Sequence, residues 1–278
     1  MSSKIKLIIS DVDGCLTEER AQPFDLALLN QIRVFNQQSM GNPMNQNSLV
    51  PPITLCTGRP QPYVEALLKV IDAPLPAIAE NGGMIYDLPE NRYWWEEKFN
   101  STAARRLQTL KQKIIHYILP RVNAAIQPGK DTHITLIAPN HNAILEATDI
   151  LKKDLSTELS QYKLTITENC LNIVPHFFDK GTALNRLSQM VNIPLIQMAA
   201  VGDTPADLPF MKMVRYPMCP ANATPEVKAI CCFVAGQSYT AGLIEIIEKC
   251  ISINKSECVS LKAGRNQRKK YPGSHSTK

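Results

Sequence analysis

The chain has 278 residues, which at roughly 150 per domain means about two domains, or one domain carrying an insertion. Apolar residues make up 44% and charged residues 20%, which excludes a wholly disordered or fibrous chain, and no apolar run approaches the roughly 18 residues of a membrane span. The sequence reads as a soluble, cytoplasmic protein with no secretory signal and no membrane partner. Eight cysteines, at positions 15, 56, 170, 219, 231, 232, 250 and 258, include no C-x-x-C pair. Structural zinc spacing is thus absent, and they read as free thiols in a reducing compartment. The net charge is +5, but residues 255–278 hold seven positive groups and one negative, which leaves the remainder near −1. This basic tail lacks apolar periodicity and is expected to be disordered, a solvated terminus rather than a nucleic-acid or membrane contact.

In chain order, Ile5 to Ser10 is a nearly continuous apolar run suited to a buried central strand. Pro23 to Phe35 carries Leu26, Leu29, Ile32 and Phe35 at helical spacing. Residues 37–52, rich in Asn, Gln, Pro and Gly, predict an exposed loop. A strand at Ile53 to Cys56 leads into Thr57-Gly58-Arg59-Pro60 and an amphipathic helix through Tyr63, Leu67 and Ile71. Ala77 to Ala79 reads as a third strand, and Glu80-Asn81-Gly82-Gly83 as a turn before the strand at Met84. From Asp87 to Phe178 the rhythm changes. A polar aromatic stretch (Tyr93, Trp94, Trp95), a helix near 101–119, a strand at Thr132 to Ala138, a helix near 142–160 and strands at 163–167 and 170–174 suggest an α+β unit. Helix at Lys180 to Val191, strand at Leu195 to Val201 and helix near 240–251 restore the first pattern. The expected fold is therefore α/β, a Rossmann-like parallel sheet with helices on both faces, interrupted by an α+β cap. The expected boundaries are 1–86 plus 178–254 for the core, 87–177 for the cap and 255–278 for the tail.

Ligands of parallel α/β sheets bind beyond the carboxyl ends of the strands. There stand Asp11 and Asp13 after the first strand, Thr57 after the second, and Asp203 and Asp207 after the strand at 195–201, with Lys180 opening the preceding helix. Should these strands be neighbours, three or four carboxylates meet in one volume. Like charges about 4 Å apart repel by roughly 4 kcal/mol per pair at an effective dielectric near 20, so the cluster calls for a cation. Carboxylates without soft ligands suit Mg²⁺ beside a phosphate. Asp11 and Asp13 project to the same side of extended chain, which allows one to attack phosphorus while the other carries the proton of the leaving oxygen. Taken singly, each residue also has a plain structural reading. Asp-x-Asp-Gly and Thr-Gly are common turns, Lys180 suits a helix start, and Asp203 and Asp207 suit a cap and a surface acid. A calcium loop fails on spacing, because Leu16 and Gln22 stand where its glycine and final acid belong.

At these residues the sequence resembles the haloacid dehalogenase-like hydrolases, in particular the subgroup with Cof-like, sucrose-phosphate and archaeal phosphoglycolate phosphatases. Asp11-Val-Asp13-Gly-Cys-Leu-Thr is similar to the family's first motif, Thr57-Gly58-Arg59 to its second, Asp179-Lys180-Gly181-Thr182 to its third and Gly202-Asp203-Thr-Pro-Ala-Asp207 to its fourth. Glu80-Asn81-Gly82-Gly83 and Ala221-Asn222-Ala223-Thr224-Pro225 extend the likeness over nearly all of residues 4–251. The resemblance implies a phosphatase in which Asp11 forms an aspartyl-phosphate and Asp13 acts as acid and then base. Thr57 and Lys180 would hold phosphate, and Mg²⁺ would be bound by Asp11, the carbonyl of Asp13, Asp203 and Asp207. Two positions depart from the pattern: Ala206 replaces a frequent Asn, and Cys15 replaces a frequent Thr whose part is largely a backbone N–H.

The implied substrate is a small phosphorylated metabolite, of sugar-phosphate or phosphoglycolate type, selected by the cap. Arg59 and Asn81 at the core rim, and His133, Asn172 and His176 on cap strands, are the candidate contacts. Ordinary packing or surface roles are the default for the histidines, and Trp94 and Trp95 are expected to fill the cap core. Two other functions remain open at this level. A phosphomutase would return the same phosphoryl group to a sugar, and a binding protein would keep the fold without turnover.

Overall fold

The computed structural model describes residues 4–18, 22–40, 49–167 and 169–269, with side chains up to residue 257. Its elements in chain order begin with β1 (Leu7–Ser10), α1 (Leu26–Met40), β2 (Ile53–Leu55), α2 (Gln61–Val70), β3 (Ala77–Ala79), β4 (Met84–Asp87) and β5 (Arg92–Trp95). Next come α3 (Ser101–Lys113), β6 (Ala125–Ile126), β7 (Ile134–Ile137), α4 (His141–Asp154), α5 (Ser156–Leu159), β8 (Tyr162–Thr167) and β9 (Cys170–Pro175). The last are α6 (Lys180–Met190), β10 (Met198–Val201), α7 (Leu208–Met211), β11 (Tyr216–Cys219), α8 (Pro225–Lys228), β12 (Phe233–Val234) and α9 (Tyr239–Lys269). The strands form a five-stranded sheet of order β12-β11-β10-β1-β2, a three-stranded sheet β3-β4-β5 and a four-stranded sheet β6-β7-β9-β8. β10, β11 and β12 pair in parallel, as the alternation of strands and helices predicts.

The chain separates into two compact units, Met1–Ile9 with Asp13–Ile53 and Ile193–Lys278, and Ser10–Val12 with Thr54–Asn192. In the first unit Leu7, Ile8 and Ile9 are fully buried, which is why β1 reads as an unbroken apolar run. α1 buries Leu29 and Ile32, α9 buries Leu243, Ile246, Ile247 and Cys250, and the two helices pack together. Asn254 on α9 is buried and satisfies both main-chain groups of Ile5. It accepts from Ile5 N at 2.8 Å and donates to Ile5 O at 2.9 Å.

In the second unit β3, β4 and β5 are antiparallel, with Trp94 opposite Ile85 and Tyr93 opposite Tyr86. The four-stranded sheet is also antiparallel, and its Ile134, Leu136, Leu171 and Ile173 face Leu107, Leu110, Ile144 and Leu151 of α3 and α4. Period-two alternation leaves the other face of that sheet to His133, Thr135, Asn172 and Thr165. Asn100 caps α3 by accepting from the backbone of Thr102 and Ala103, and Asn140 caps α4 by accepting from Ala143 N.

Several elements differ from expectation. α1 runs five residues past Phe35, and residues 41–48 of the expected loop lie outside the described residues. The predicted helix 101–119 becomes α3, one π turn at Ile114–Ile118 and a 3₁₀ turn at Leu119–Arg121, where Pro120 removes a helical donor. The aromatic stretch is the strand β5. β11 and β12 escape the pattern reading because β11 contains Pro217 and β12 has two residues. α9 continues through Lys269, so residues 255–269 are helical where composition predicts an unstructured tail; residues 270–278 lie outside the described residues. Lys255, Leu261, Lys262, Ala263, Arg265 and Gln267 are good helix formers, and lengthening an existing helix requires no new nucleus.

Candidate active site

Asp11 follows β1 directly, and Lys180 opens α6. The Lys180 ammonium donates to Asp11 Oδ1 at 3.2 Å, with both side chains largely shielded from water. Asp179 fixes this helix start by accepting from Gly181 N and Thr182 N, at 2.7 and 3.2 Å. Thr57 lies just beyond β2, is 1% exposed, and accepts from Arg59 N at 3.1 Å. Its own N–H donates to Ile78 O, and its carbonyl accepts from Asn81 N. The hydroxyl oxygen is thereby held while its O–H stays available as a donor. Arg59 is buried, with its guanidinium 4.6 Å from the centre of the Tyr63 ring.

On the first unit, the loop after β1 turns back at Gly14, whose N–H donates to Thr17 O and whose φ is +82°. A Cβ there would stand 2.1 Å from Asp203 Oδ2, so the position requires glycine both for its backbone and for the carboxylate beside it. Cys15 is buried, and its thiol donates to Asp203 Oδ1 at 3.8 Å, a side-chain part that the expected backbone role of this position did not include. Asp207 is also buried. Its Oδ2 accepts from Asp203 N and Thr204 N at 3.1 Å and from the Thr204 hydroxyl at 3.3 Å, closing a capping box around the turn Pro205–Asp207. Asp207 is thus a buried member of a capping box, where its plain reading was a surface acid. Ala206 is exposed on this turn. Asn222 donates to Gly14 O and accepts from Tyr239 N, both at 2.9 Å.

Carboxylate oxygens of Asp203 and Asp207, both on the first unit, lie within 4.8 Å of each other. The donor set is all oxygen and all anionic, with neither sulfur nor imidazole, which fits Mg²⁺. Among the described residues no helix is long and apolar enough to cross a membrane.

A second polar cluster lies within the second unit. Glu80, in the turn between β3 and β4, is fully buried. It accepts from Asp131 N, from Thr132 N at 2.8 Å and from the Thr132 hydroxyl at 2.7 Å. Burial pushes its carboxyl up, and those hydrogen bonds pull it partly back. His133 Nδ1 stands 3.7 Å from Glu80 Oε2 without a hydrogen bond, while Nε2 lies 3.0 Å from Lys130 Nζ and 3.4 Å from Asn81 Nδ2. Burial, followed by the Lys130 charge, holds this imidazole well below its usual range, so it is neutral. Lys130 also donates to the Thr135 hydroxyl at 2.7 Å, which donates in turn to Asn172 Oδ1 at 2.7 Å.

Of the expected cap contacts, Asn81 and Asn172 therefore join one network, together with His133. His176 is exposed, and its N–H donates to Gln161 O. Trp95 packs on Tyr93 and Phe99, with ring centres 5.2 and 6.0 Å apart, but Trp94 and Trp95 are only partly buried on β5 and lie outside the apolar cluster under the four-stranded sheet, so they do not fill the cap core as expected. Sequence reading passed over Lys130, Thr135 and the carboxylate of Glu80. The available signal was the alternation of His133 and Thr135 ahead of an otherwise apolar strand.

The family profile of haloacid dehalogenase-like hydrolase matches residues 8–154 and 122–247. The chain belongs to the haloacid dehalogenase-like hydrolases. The expected likeness to their Cof-like subgroup is borne out, and the chain is an enzyme of the hydrolase class. It is 25% identical to a phosphoglycolate phosphatase of Methanothrix thermoacetophila over 88% of this chain and 96% of that protein. Solved structures of similar fold include a Thermoplasma acidophilum protein, with TM-score 0.68, 21% identity, and 90% of this chain and 99% of that one covered. Another is the sucrose-phosphatase of Synechocystis in complex with sucrose and phosphate, with TM-score 0.60, 18% identity, and coverage of 89% and 98%. These solved structures share the parallel-sheet α/β fold described above.

Proposed function

We propose that this hydrolase is a Mg²⁺-dependent phosphatase acting on a small phosphorylated metabolite of phosphoglycolate or sugar-phosphate type. The observation that carries the reading is Asp11, a shielded carboxylate beside the Lys180 ammonium at 3.2 Å. Asp11 attacks phosphorus, forming a P–O bond as the bond to the leaving oxygen breaks, and Asp13 gives that oxygen its proton. Asp13 then removes a proton from water. The water oxygen bonds to phosphorus, the bond to Asp11 breaks, and inorganic phosphate leaves. Lys180 offsets the negative charge that otherwise keeps a carboxylate and a phosphate apart, and the Thr57 O–H donates to a phosphoryl oxygen. Mg²⁺, held by Asp11, Asp203, Asp207 and the carbonyl of Asp13, supplies further positive charge at the phosphoryl group when bound.

The test is phosphate release from a panel of phosphorylated metabolites, with and without Mg²⁺, beside Asp11→Asn. Turnover is expected to need Mg²⁺ and to fall by about 10³-fold or more in the variant, as for other removed nucleophiles. Equal rates for native protein and variant on every compound would overturn the reading.

A further inference from the structure

We infer that Lys130 and Asn81 form a second anion-binding subsite, which recognises a carboxylate on the phosphate ester, and that His133 is the residue positioning the Lys130 ammonium. This rests on the phosphatase reading above and narrows it to phosphorylated small carboxylic acids.

The subsite adjoins the phosphate loop. Asn81 N donates to Thr57 O, and a Cβ on Gly58 would come within 2.8 Å of Asn81 Oδ1, so the Asn81 side chain lies against Thr57 and Gly58. Lys130 meets Asn81 at a shared atom, His133 Nε2. On the far side, Gly129 rests on Pro60, with 3.7 Å from its Cβ position to the proline ring.

The chemistry of the cluster selects an acceptor. An ammonium only donates, and so does an amide NH₂. The acceptors next to the ammonium are already engaged: Glu80 by Thr132 and Asp131, His133 Nε2 by Lys130, Thr135 Oγ1 by Lys130, and Asn172 Oδ1 by Thr135, while the Asn81 amide oxygen is the atom nearest the Cβ position of Gly58. A sugar face needs both donors and acceptors, whereas a carboxylate needs donors alone. His133 and Thr135 are neutral, so they aim the ammonium without cancelling its charge. Because Lys130 can only donate to Nε2, the imidazole proton sits on Nδ1 and faces Glu80. Glu80 in turn grips the backbone of residues 131–132. These Glu80 hydrogen bonds tie the turn after β3 to the loop that carries the cation, with His133 between Glu80 and Lys130.

The experiment compares kcat/KM for 2-phosphoglycolate and for ethyl phosphate, which has a methyl group in place of the carboxylate. The native protein is expected to favour the acid. Lys130→Met should lower that preference by about 10- to 100-fold, the scale of one lost charge-assisted hydrogen bond. His133→Phe, which keeps the ring but removes both nitrogens, should lower it in the same direction, with the loss falling on KM for the acid more than on its kcat. A preference near one in the native protein overturns the inference without any variant, and so does an unchanged preference in both folded variants. The phosphatase reading is scored separately: Asp11-dependent release from ethyl phosphate without preference for the acid sinks the subsite alone, whereas absence of Asp11-dependent release from any ester sinks both.

Discussion

Replacing Asp207 by Asn separates its two duties. The amide oxygen can still accept from Asp203 N and Thr204 N, so the capping box survives in large part. What disappears is one negative charge within 4.8 Å of the Asp203 carboxylate. At an effective dielectric near 20, a pair at that distance repels by about 3.5 kcal/mol, less whatever nearby donors offset. In chelator the variant should therefore be no less stable than the native protein, and its unfolding midpoint should lie level or several degrees higher. Mg²⁺ at about 100 times its dissociation constant adds about 2.7 kcal/mol to a native state that binds it, or roughly 5–10 °C for a chain of this size. The variant should gain little. Thermal unfolding of both proteins in EDTA and in excess Mg²⁺ should thus show the order of midpoints inverting. Equal shifts with Mg²⁺, or a variant lower by the same amount in both buffers, would mean that Asp207 is a cap and nothing more.

Gly14→Ala forces a methyl group to within 2.1 Å of Asp203 Oδ2 and strains a left-handed backbone by about 1–2 kcal/mol. Turnover should fall at least tenfold while circular dichroism stays native, and full activity would refute the assigned closeness. His133 is held neutral in the fold but takes up a proton below about pH 6.5 when unfolded. Its contribution to stability is therefore present above pH 6.5 and lost on acidification, with a slope of up to about 1.4 kcal/mol per pH unit. Glu80, whose carboxyl is raised, acts oppositely: its contribution is greatest at low pH and falls as pH rises above about 4.5. Denaturant titrations of native protein and His133→Phe between pH 5 and 7 isolate the histidine, and parallel curves would contradict its burial as a neutral base. Asn100→Ala leaves the N–H groups of Thr102 and Ala103 without their acceptor and should cost about 1 kcal/mol, read as a lower midpoint; an unchanged midpoint would show the cap to be dispensable.

What the sequence carried in plain sight was local. Ile5 to Ser10 is legible because a strand buried on both faces must be apolar throughout, and the acids after it are legible because nothing in folding asks for Asp-x-Asp there. The reading of Glu80 to Gly83 as a link between strands holds for the same reason: Asn81 and Gly82 both adopt positive φ, which those residue types tolerate. The Glu80–His133–Lys130 cluster was not legible, because its members meet across about 50 residues and no periodicity encodes a partner at that distance. Lys130 looks like any loop lysine until its burial is known. Likewise Asp207 could be read as ligand or surface acid, and only coordinates reveal that it is buried and closes a turn beside Asp203.

The strand β1, which leads into Asp11, sits inside its sheet with β10 on one side and β2 on the other. One of those neighbours emerges from the ribosome about 190 residues later. The asparagine that satisfies Ile5 follows later still, 249 positions downstream. Such wide separation slows closure of a sheet and leaves an apolar segment waiting without its partners. Nascent chains of this enzyme should therefore remain clients of holding chaperones until the segment through Asn254 has been made.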